Sequence, residues 1–180
     1  MHIDFHHAAT YVIARNAGFN HDEADLISYA AQYVDDAVVE GNVCFTNNDA
    51  MYQRIASAHT TIDAANIDNQ KNRMTWLPFH FLPGNDGLPA GQNPPGTFVE
   101  KLVCTPDSPI ARDMIASCAA TINEPSGIYR LGITMHVYAD TFAHQGFAGL
   151  LNDTNKVTDV AVSGDTPVAR RVSSTLRHPA

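Results

Sequence analysis

The sequence predicts an all-α domain, a bundle of about four to six helices with one long Pro/Gly-rich loop. The prediction rests on four segments with the apolar periodicity of amphipathic helices, on capping residues at their ends, and on one stretch rich in proline and glycine. The chain has 180 residues, of which 44% are apolar and 17% charged. This length and composition are typical of a globular protein with one hydrophobic core.

Two helices are predicted in the N-terminal part of the chain, over residues 5–18 and 21–40. The first closes at Gly18, where glycine tolerates the left-handed conformation that follows many helices. Asn20 is suited to cap the second, and Gly41 to end it. An apolar stripe along the second helix is formed by Ile27, Ala30, Ala31, Val34 and Val38.

Two further helices are predicted in the C-terminal part, over residues 108–122 and 126–150. Ser108 is a favourable cap for the third helix, and Pro109 suits its first helical position. One apolar face of the fourth helix is formed by Leu131, Met135, Ala139 and Phe142.

The segment between these two pairs of helices is less regular. Residues 55–65 fit either helix or strand, and residues 78–98 contain too many prolines and glycines for either. Long loops inside small domains are usually functional or disordered. We expect one helical metal-binding domain over residues 1–155, followed by a loosely ordered segment over 156–180.

Charge and cysteine content exclude several classes of protein. The formal net charge is −8, from 19 acidic and 11 basic residues, and no basic cluster occurs. We therefore expect neither general nucleic-acid binding nor attachment to anionic membranes, although a small phosphoester bound through cations stays compatible. The three cysteines show no CxxC spacing, and no secretory signal or membrane span is apparent. We therefore expect a cytoplasmic protein.

The stretch "HVYADTFAHQG" contains a row of polar residues among alanines and aromatics. His136, Asp140 and His144 recur every four residues and so share one side of a helix. Neighbouring members of the row can share a metal ion, and the central carboxylate can bridge two ions. The alternative is a solvated helix face, but the apolar flanking residues favour a metal site.

Other potential ligands lie on the other predicted elements. His6 and His7 fall within the apolar pattern of the first helix. Asp35 lies at the edge of the buried face of the second helix, whereas Asp36 points nearly opposite and is the weaker candidate. His80 lies in the apolar loop "WLPFHFLPG", where a core histidine with a hydrogen-bond partner is the alternative to a ligand.

The order of these residues resembles the zinc-dependent phospholipase C and single-strand nuclease superfamily. The positions that match its pattern are His6 with Tyr11 and Val12, Ala31 with Tyr33 and Asp35, His80 with Phe81, and the pair His136 and Asp140. The resemblance implies a helical, phospholipase C-like fold and a zinc cluster that hydrolyses phosphoesters.

The chain is also similar to an uncharacterised bacterial family of presumed metal-binding proteins. The shared signatures are DFH, QYVDD, PFHFLP and HxYADxxAHQ, over about residues 1–155. Relative to the superfamily, the spacing from Asp140 to His144 is shorter, and neither the amino-terminal tryptophan ligand nor a final His-x3-Glu/Asp pair is present. Of the one to three ions that the resemblances allow, we therefore favour one or two.

Imidazole and carboxylate ligands without thiolates suit zinc, with manganese or iron as alternatives. The expected ligands are His6, Asp35, His80, His136, Asp140 and His144, with His7 and Asp36 ranking behind them. Tyr138 and Gln145 are candidates for orienting the ligating histidines. No general acid is apparent in the sequence.

The leading functional hypothesis is a metal-dependent hydrolase of a small phosphoester or a phospholipid-like substrate. In a second hypothesis the ions are structural and hold helices together without catalysis. A third is a helical interaction domain with buried His–Asp hydrogen bonds. The ligand types alone do not separate the first two hypotheses, because both use the same residues.

Overall fold

The fold is mostly helical, as a computed structural model that describes residues 3–47, 49–60 and 63–157 shows. This confirms the predicted helical class, with a small antiparallel hairpin that was not predicted. The α-helices are α1 (Thr10–Asn16), α2 (His21–Asp36), α3 (Asn69–Phe79), α4 (Phe98–Lys101), α5 (Pro109–Ala119) and α6 (Gly127–Ala143), and the strands are β1 (Gly41–Cys44) and β2 (Met51–Arg54).

Three of the predicted capping residues, Asn20, Ser108 and Gly18, lie where the sequence places them. The Asn20 side chain accepts a hydrogen bond from the Glu23 amide, and the Glu23 carboxylate accepts one from the Asn20 amide, so that both form a capping box on α2. Ser108 caps α5 through the Ala111 amide. Gly18, just after α1, has a φ of 99°, a conformation that glycine adopts without strain.

Helices α2 and α6 pack against each other more extensively than any other pair of elements. Gly132 makes this close approach possible, because a Cβ atom there would overlap the Ile27 carbonyl oxygen and lie 2.7 Å from the Ala30 Cβ. Ala31, on the predicted apolar stripe, is fully buried. Small residues at this crossing therefore bring the two backbones together at the level of the candidate site.

The predicted ends of two helices were wrong. Helix α2 ends at Asp36 rather than near residue 40, because Ala37 leaves the helical conformation with a ψ of 73°, and Gly41 pairs with Arg54 in the hairpin instead of ending the helix. Helix α6 ends at Ala143 rather than near residue 150. The chain reverses there through Gly146, which has a φ of 85°, a value that is incompatible with a continuing helix.

The middle of the chain contains a helix that the sequence analysis missed. Helix α3 is capped by Asp68, whose side chain accepts hydrogen bonds from the amides of Gln70 and Lys71. Its weak amphipathicity and its internal Pro78 obscured the helical pattern. The described part of residues 55–65 is neither α-helix nor strand before a 3-10 helix begins at Ala64.

The predicted domain of residues 1–155 is almost wholly within the described part of the chain. The prediction for residues 156–180 falls outside the described residues from residue 158 onward. Among the helices that the structure describes, none combines the length and apolar character that spanning a membrane requires.

Candidate metal centre

Five of the predicted ligands converge at one point, and they come from four different elements. A π-helical segment, Asp4–Ala9, precedes α1, and short π-helical segments are often found at functional sites. His6 and Asp140 are fully buried, whereas the Asp35 side chain is 21% exposed. The contributions are His6 from the π-helical segment, Asp35 from the end of α2, His80 from the residue after α3, and His136 and Asp140 from α6.

Three donor atoms form a nearly equilateral triangle. His80 Nδ1 lies 3.0 Å and His136 Nε2 3.4 Å from Asp140 Oδ2, and the two imidazole nitrogens are 3.2 Å apart. Ligands about 2.0–2.2 Å from one zinc ion are themselves roughly 3–3.5 Å apart. The triangle therefore has the dimensions of one face of a metal coordination shell.

Asp35 supplies a fourth donor on the side of this triangle that faces solvent. Its Oδ1 atom lies 3.7 Å from His80 Nδ1 and 3.8 Å from His136 Nε2. The donor atoms of Asp35, His80 and His136 all lie within 4.8 Å of one another. A small contraction of these distances would place all four donors around one ion.

Main-chain carbonyl groups determine which nitrogen of each imidazole faces the centre. His136 Nδ1 lies 2.8 Å from the Ala31 carbonyl oxygen, and His80 Nε2 lies 2.8 Å from the Ser57 carbonyl oxygen. A carbonyl oxygen only accepts, so each of these nitrogens carries a proton and donates it. In the neutral rings, the unprotonated nitrogens of His136 and His80 therefore face each other and Asp140.

This arrangement requires a positive charge at its centre. Two imidazole lone pairs and a carboxylate oxygen within 3.0–3.4 Å of one another repel unless a proton or a cation lies between them. Because hydrogen bonds to backbone carbonyl groups typically orient metal-binding histidines, the geometry favours a metal cation.

Ser57 is held in place by the end of α2. Its hydroxyl donates a hydrogen bond of 2.8 Å to the Val34 carbonyl oxygen, and its amide donates one of 2.9 Å to the Ala37 carbonyl oxygen. The Ser57 carbonyl group that orients His80 is thereby attached to the same helix end that presents Asp35.

His6 occupies the far side of the carboxylates. Its ring stacks on His136 with 3.8 Å between the centroids, and its Nε2 atom lies 3.3 Å from Asp140 Oδ1 and 4.0 Å from Asp35 Oδ2. Neither ring nitrogen has a hydrogen-bond partner among the described residues, although both are buried. Such a pair of buried, unsatisfied nitrogens is costly, and a bound cation would satisfy one of them.

The charge states of two residues suit cation binding. Burial alone would raise the pKa of the Asp140 carboxyl, but a proton shared with the surrounding imidazoles, His136 foremost, outweighs burial and holds this pKa well below its usual range. Burial also lowers the pKa of His136, against the opposing effect of Asp140. At neutral pH the carboxylate is therefore ionised and His136 neutral, which are the forms that bind metals.

His144 lies at the edge of this cluster, with its Nδ1 atom 3.7 Å from Asp140 Oδ2. Its Nδ1 donates a hydrogen bond of 2.7 Å to the His80 carbonyl oxygen, and its ring stacks on Phe81. His144 belongs to neither group of donor atoms that could hold an ion among the described residues. It therefore supports the position of His80.

The remaining predicted residues are not brought into the centre. The Tyr138 hydroxyl donates to Asp107 at 3.3 Å. Gln145 and Asp36 are exposed, and Asp36 is 3.5 Å from the Gln32 amide. His7 is half-buried and lies in neither donor group.

The centre opens into a cleft with a volume of about 450 Å³. Asp35, His80 and His144 form its inner end, and Trp76 and Asn72 line the wall that α3 provides. A cleft of this size is in the range of small-molecule sites. The centre is therefore buried on most sides and accessible on the side of Asp35.

Several residues that shape the centre were missed by the sequence analysis. The carbonyl groups of Ala31 and Ser57 orient the imidazoles through the main chain, which the side-chain identities do not reveal. Gly132 offered a signal, since a glycine inside an amphipathic helix often marks a close approach. Asn72 and Trp76 precede His80 at intervals of four residues. A prediction of α3 would therefore have placed them on the same side of that helix, facing the cleft.

Comparison with known proteins shows the family but not an activity. A family of unknown function, DUF6765, matches residues 1–178, so the chain belongs to that family. Neither a curated protein nor a solved structure matches the chain significantly.

Proposed function

We propose that this member of the DUF6765 family is a metal-dependent hydrolase of phosphoesters. The observation that carries the proposal is the orientation of His80 and His136. Each ring donates its outer N–H to a main-chain carbonyl group, at 2.8 Å in both cases, and directs its other nitrogen toward Asp140. This centre lies at the inner end of a cleft that can admit a small substrate.

The donor atoms divide into two positions. The first comprises His80 Nδ1, His136 Nε2 and the Oδ atoms of Asp35 and Asp140 that face them. The second comprises His6 Nε2 with Asp140 Oδ1 and Asp35 Oδ2, at 3.3 and 4.0 Å. We infer that both carboxylates are shared between these positions, as in other sites that hold two ions.

The donor set suits zinc, and manganese or iron are the alternatives. A bound zinc ion supplies hydroxide at neutral pH by lowering the pKa of its water to about 7, and stabilises phosphoryl oxygens. The protein's own contribution is to keep Asp140 ionised, to orient His80 and His136, and to exclude bulk water from the buried side. Asp35, being partly exposed, borders the position where substrate and water enter.

One observation supports a phosphoester as the substrate, and a second indicates how its charge would be neutralised. The resemblance to the zinc-dependent phospholipase C and single-strand nuclease superfamily, which we retain as part of the proposal, implies this chemistry. In addition, no lysine or arginine lines the described cleft. A phosphate bound there would rely on metal ions to neutralise its charge.

The burial of the donors favours one alternative, a structural ion. His6, His136 and Asp140 are fully buried, and a closed shell of protein ligands is typical of structural zinc sites. In that case the ion would hold the N-terminal segment, α2 and α6 together without turning over a substrate.

The test compares metal-free and zinc-loaded protein in hydrolysis of bis-p-nitrophenyl phosphate and p-nitrophenyl phosphate. The His136→Asn variant is compared with a His21→Asn control, since His21 lies at the exposed start of α2, where it contacts Tyr11. Zinc-dependent turnover that is lost in His136→Asn alone supports the hydrolase. Bound zinc that raises the melting temperature without turnover supports the structural ion, and no metal uptake contradicts both.

A further inference from the structure

We propose that the cleft beside the metal centre contains a recognition site in which Asn72 and Asn66 accept hydrogen bonds from the substrate. The recognised group would be an ammonium or hydroxyl group on the molecule that carries the phosphate. This inference rests on the proposed function, because it assigns a specificity to the same site.

Helix α3 connects the two ends of the cleft. Asn72, Trp76 and His80 follow one another at intervals of four residues, and all three line the cleft. At a rise of about 1.5 Å per residue, Asn72 lies roughly 12 Å along the helix from His80. Because both side chains extend into the cleft, the gap between a phosphate at the metal centre and Asn72 is shorter than this backbone distance, and a group attached to the phosphate spans it.

The hydrogen bonds of the two amide groups determine their orientation. Asn72 Nδ2 donates to the Asn66 carbonyl oxygen at 3.0 Å, and Asn66 Nδ2 donates to the Thr60 carbonyl oxygen at 2.9 Å. A flipped amide would place two oxygens against each other, so both side-chain oxygens face elsewhere. Both asparagines thus present acceptors.

These two acceptor oxygens are buried, and the part of the chain that the structure describes offers them no donor. Asn72 is only 3% exposed, and neither Asn72 Oδ1 nor Asn66 Oδ1 accepts a hydrogen bond from the described residues. Most buried polar atoms in proteins are hydrogen-bonded, and exceptions are concentrated at functional sites. Because both asparagines line the cleft, a ligand donor is the partner that fits them.

Asn155 provides an internal comparison, because it lines the same cleft with its amide fully used. Its Oδ1 accepts from the Ala148 amide at 2.8 Å, and its Nδ2 donates to the Ala148 and Leu150 carbonyl oxygens at 2.7 Å. Asn155 therefore holds the segment after α6 in place. The unsatisfied oxygens are a property of Asn72 and Asn66, not of every asparagine in the cleft.

The residues Asn66, Asn72 and Trp76 determine which group of a ligand can bind at this side of the cleft. Two carbonyl-type oxygens accept from N–H or O–H groups, and their lone pairs disfavour an anion beside them. Trp76 lies between the acceptors and the centre and offers an apolar surface to the linking carbon atoms. An alkylammonium or hydroxyl group fits these features, whereas a second phosphate or a carboxylate does not.

The experiment measures the affinity of zinc-loaded protein for two pairs of phosphate monoesters by calorimetry. Ethanolamine phosphate is compared with choline phosphate, which keeps the positive charge but has no N–H donors. Glycerol 3-phosphate is compared with propyl phosphate, which lacks the hydroxyl groups. The first pair tests an ammonium donor and the second a hydroxyl donor.

We expect the donor-bearing member of at least one pair to bind about tenfold more tightly or better. Asn72→Leu should reduce that preference to less than about twofold, and Asn66→Ala, at a half-buried position, should reduce it partly. Asn42→Ala, at an exposed position of β1 that does not line the cleft, should leave it unchanged. No preference in the wild-type protein, or a preference that survives both Asn72→Leu and Asn66→Ala, would overturn the inference.

The same measurements separate this inference from the proposed function. A donor preference without hydrolysis of either chromogenic phosphoester would overturn the hydrolase and leave the recognition site. Hydrolysis without any donor preference would overturn the recognition site and leave the hydrolase.

Discussion

His136 Nε2 and His80 Nδ1 lie 3.2 Å apart, and the opposite nitrogen of each ring donates its proton to a main-chain carbonyl group. Two unprotonated nitrogens so placed repel each other unless a cation lies between them. The Ala31 and Ser57 carbonyl groups therefore determine the chemistry of the centre as much as the imidazoles do.

Replacement of His6 should remove only part of the metal. His6 Nε2 faces Asp35 Oδ2 and Asp140 Oδ1, which belong to the second metal position, and not the donors of the first. We therefore expect His6→Ala to lower the bound zinc from two equivalents to one. His7→Ala is the matched control and should keep both equivalents. Zinc per polypeptide, measured by elemental analysis, tests this, and complete loss in His6→Ala would indicate a single ion bound by all five residues.

Neutralisation of Asp35 should weaken the whole centre. Asp35→Asn keeps the shape of the side chain but removes the charge that faces both histidines of the first position and His6. We expect zinc affinity to fall at least tenfold, about 1.4 kcal/mol. Competition with a chromogenic chelator measures this, and Asp36→Asn, at an exposed position, should match the wild type. Equal affinities in the two variants would contradict the assignment of Asp35.

Substitution of Gly132 should separate α2 from α6. An alanine at an exposed helical glycine usually stabilises a protein, but here its Cβ would overlap the Ile27 carbonyl oxygen. We expect Gly132→Ala to destabilise the fold by about 1–3 kcal/mol, as overpacking does. It should also weaken zinc binding, because the hydrogen bond from His136 Nδ1 to the Ala31 carbonyl oxygen requires α2 and α6 to stay this close. Urea unfolding tests the first effect, and an increase in stability would refute it.

Acidification should destabilise the metal-free protein. The folded-state pKa of His136 is lowered by burial, so below the usual value of about 6.5 the unfolded chain binds more protons than the folded one. Stability must then fall as the pH decreases through this window. The lowered pKa of Asp140 acts in the same direction below about pH 4.

The urea midpoint of metal-free protein should therefore be lower at about pH 5 than at about pH 7.5. The His136→Gln variant lacks the titrating ring and should show a shallower dependence. A urea midpoint that rises on acidification in the wild type but not in the variant would contradict a lowered pKa of His136.

Sequence patterns predicted much of this centre because several ligands lie on regular helices. The four-residue spacing of His136 and Asp140 predicted their common face, and the angular position of Asp35 distinguished it from Asp36. His144 shares that spacing, but α6 ends just before it, so its ring hydrogen-bonds to the chain at His80. Periodicity could not show where the helix stops.

Other parts of the fold could not be predicted from patterns. The acceptor carbonyl groups of Ala31 and Ser57 belong to the backbone, and their positions depend on how α2 meets the segment before α3. Helix α3 was missed because its apolar face is weak and because Pro78, a residue type that usually breaks helices, lies near its end. Without that helix, the common wall of Asn72, Trp76 and His80 was not apparent.

The most direct test of the central claim is elemental analysis of protein purified without a chelator or a histidine tag, beside an Asp140→Ala variant. The account predicts at least one equivalent of zinc, manganese or iron in the wild type, and its loss in the variant, because Asp140 contacts three of the imidazoles within 3.0–3.4 Å. Absence of metal from the wild type, with no uptake on titration, would contradict the account and leave a buried His–Asp hydrogen-bond network.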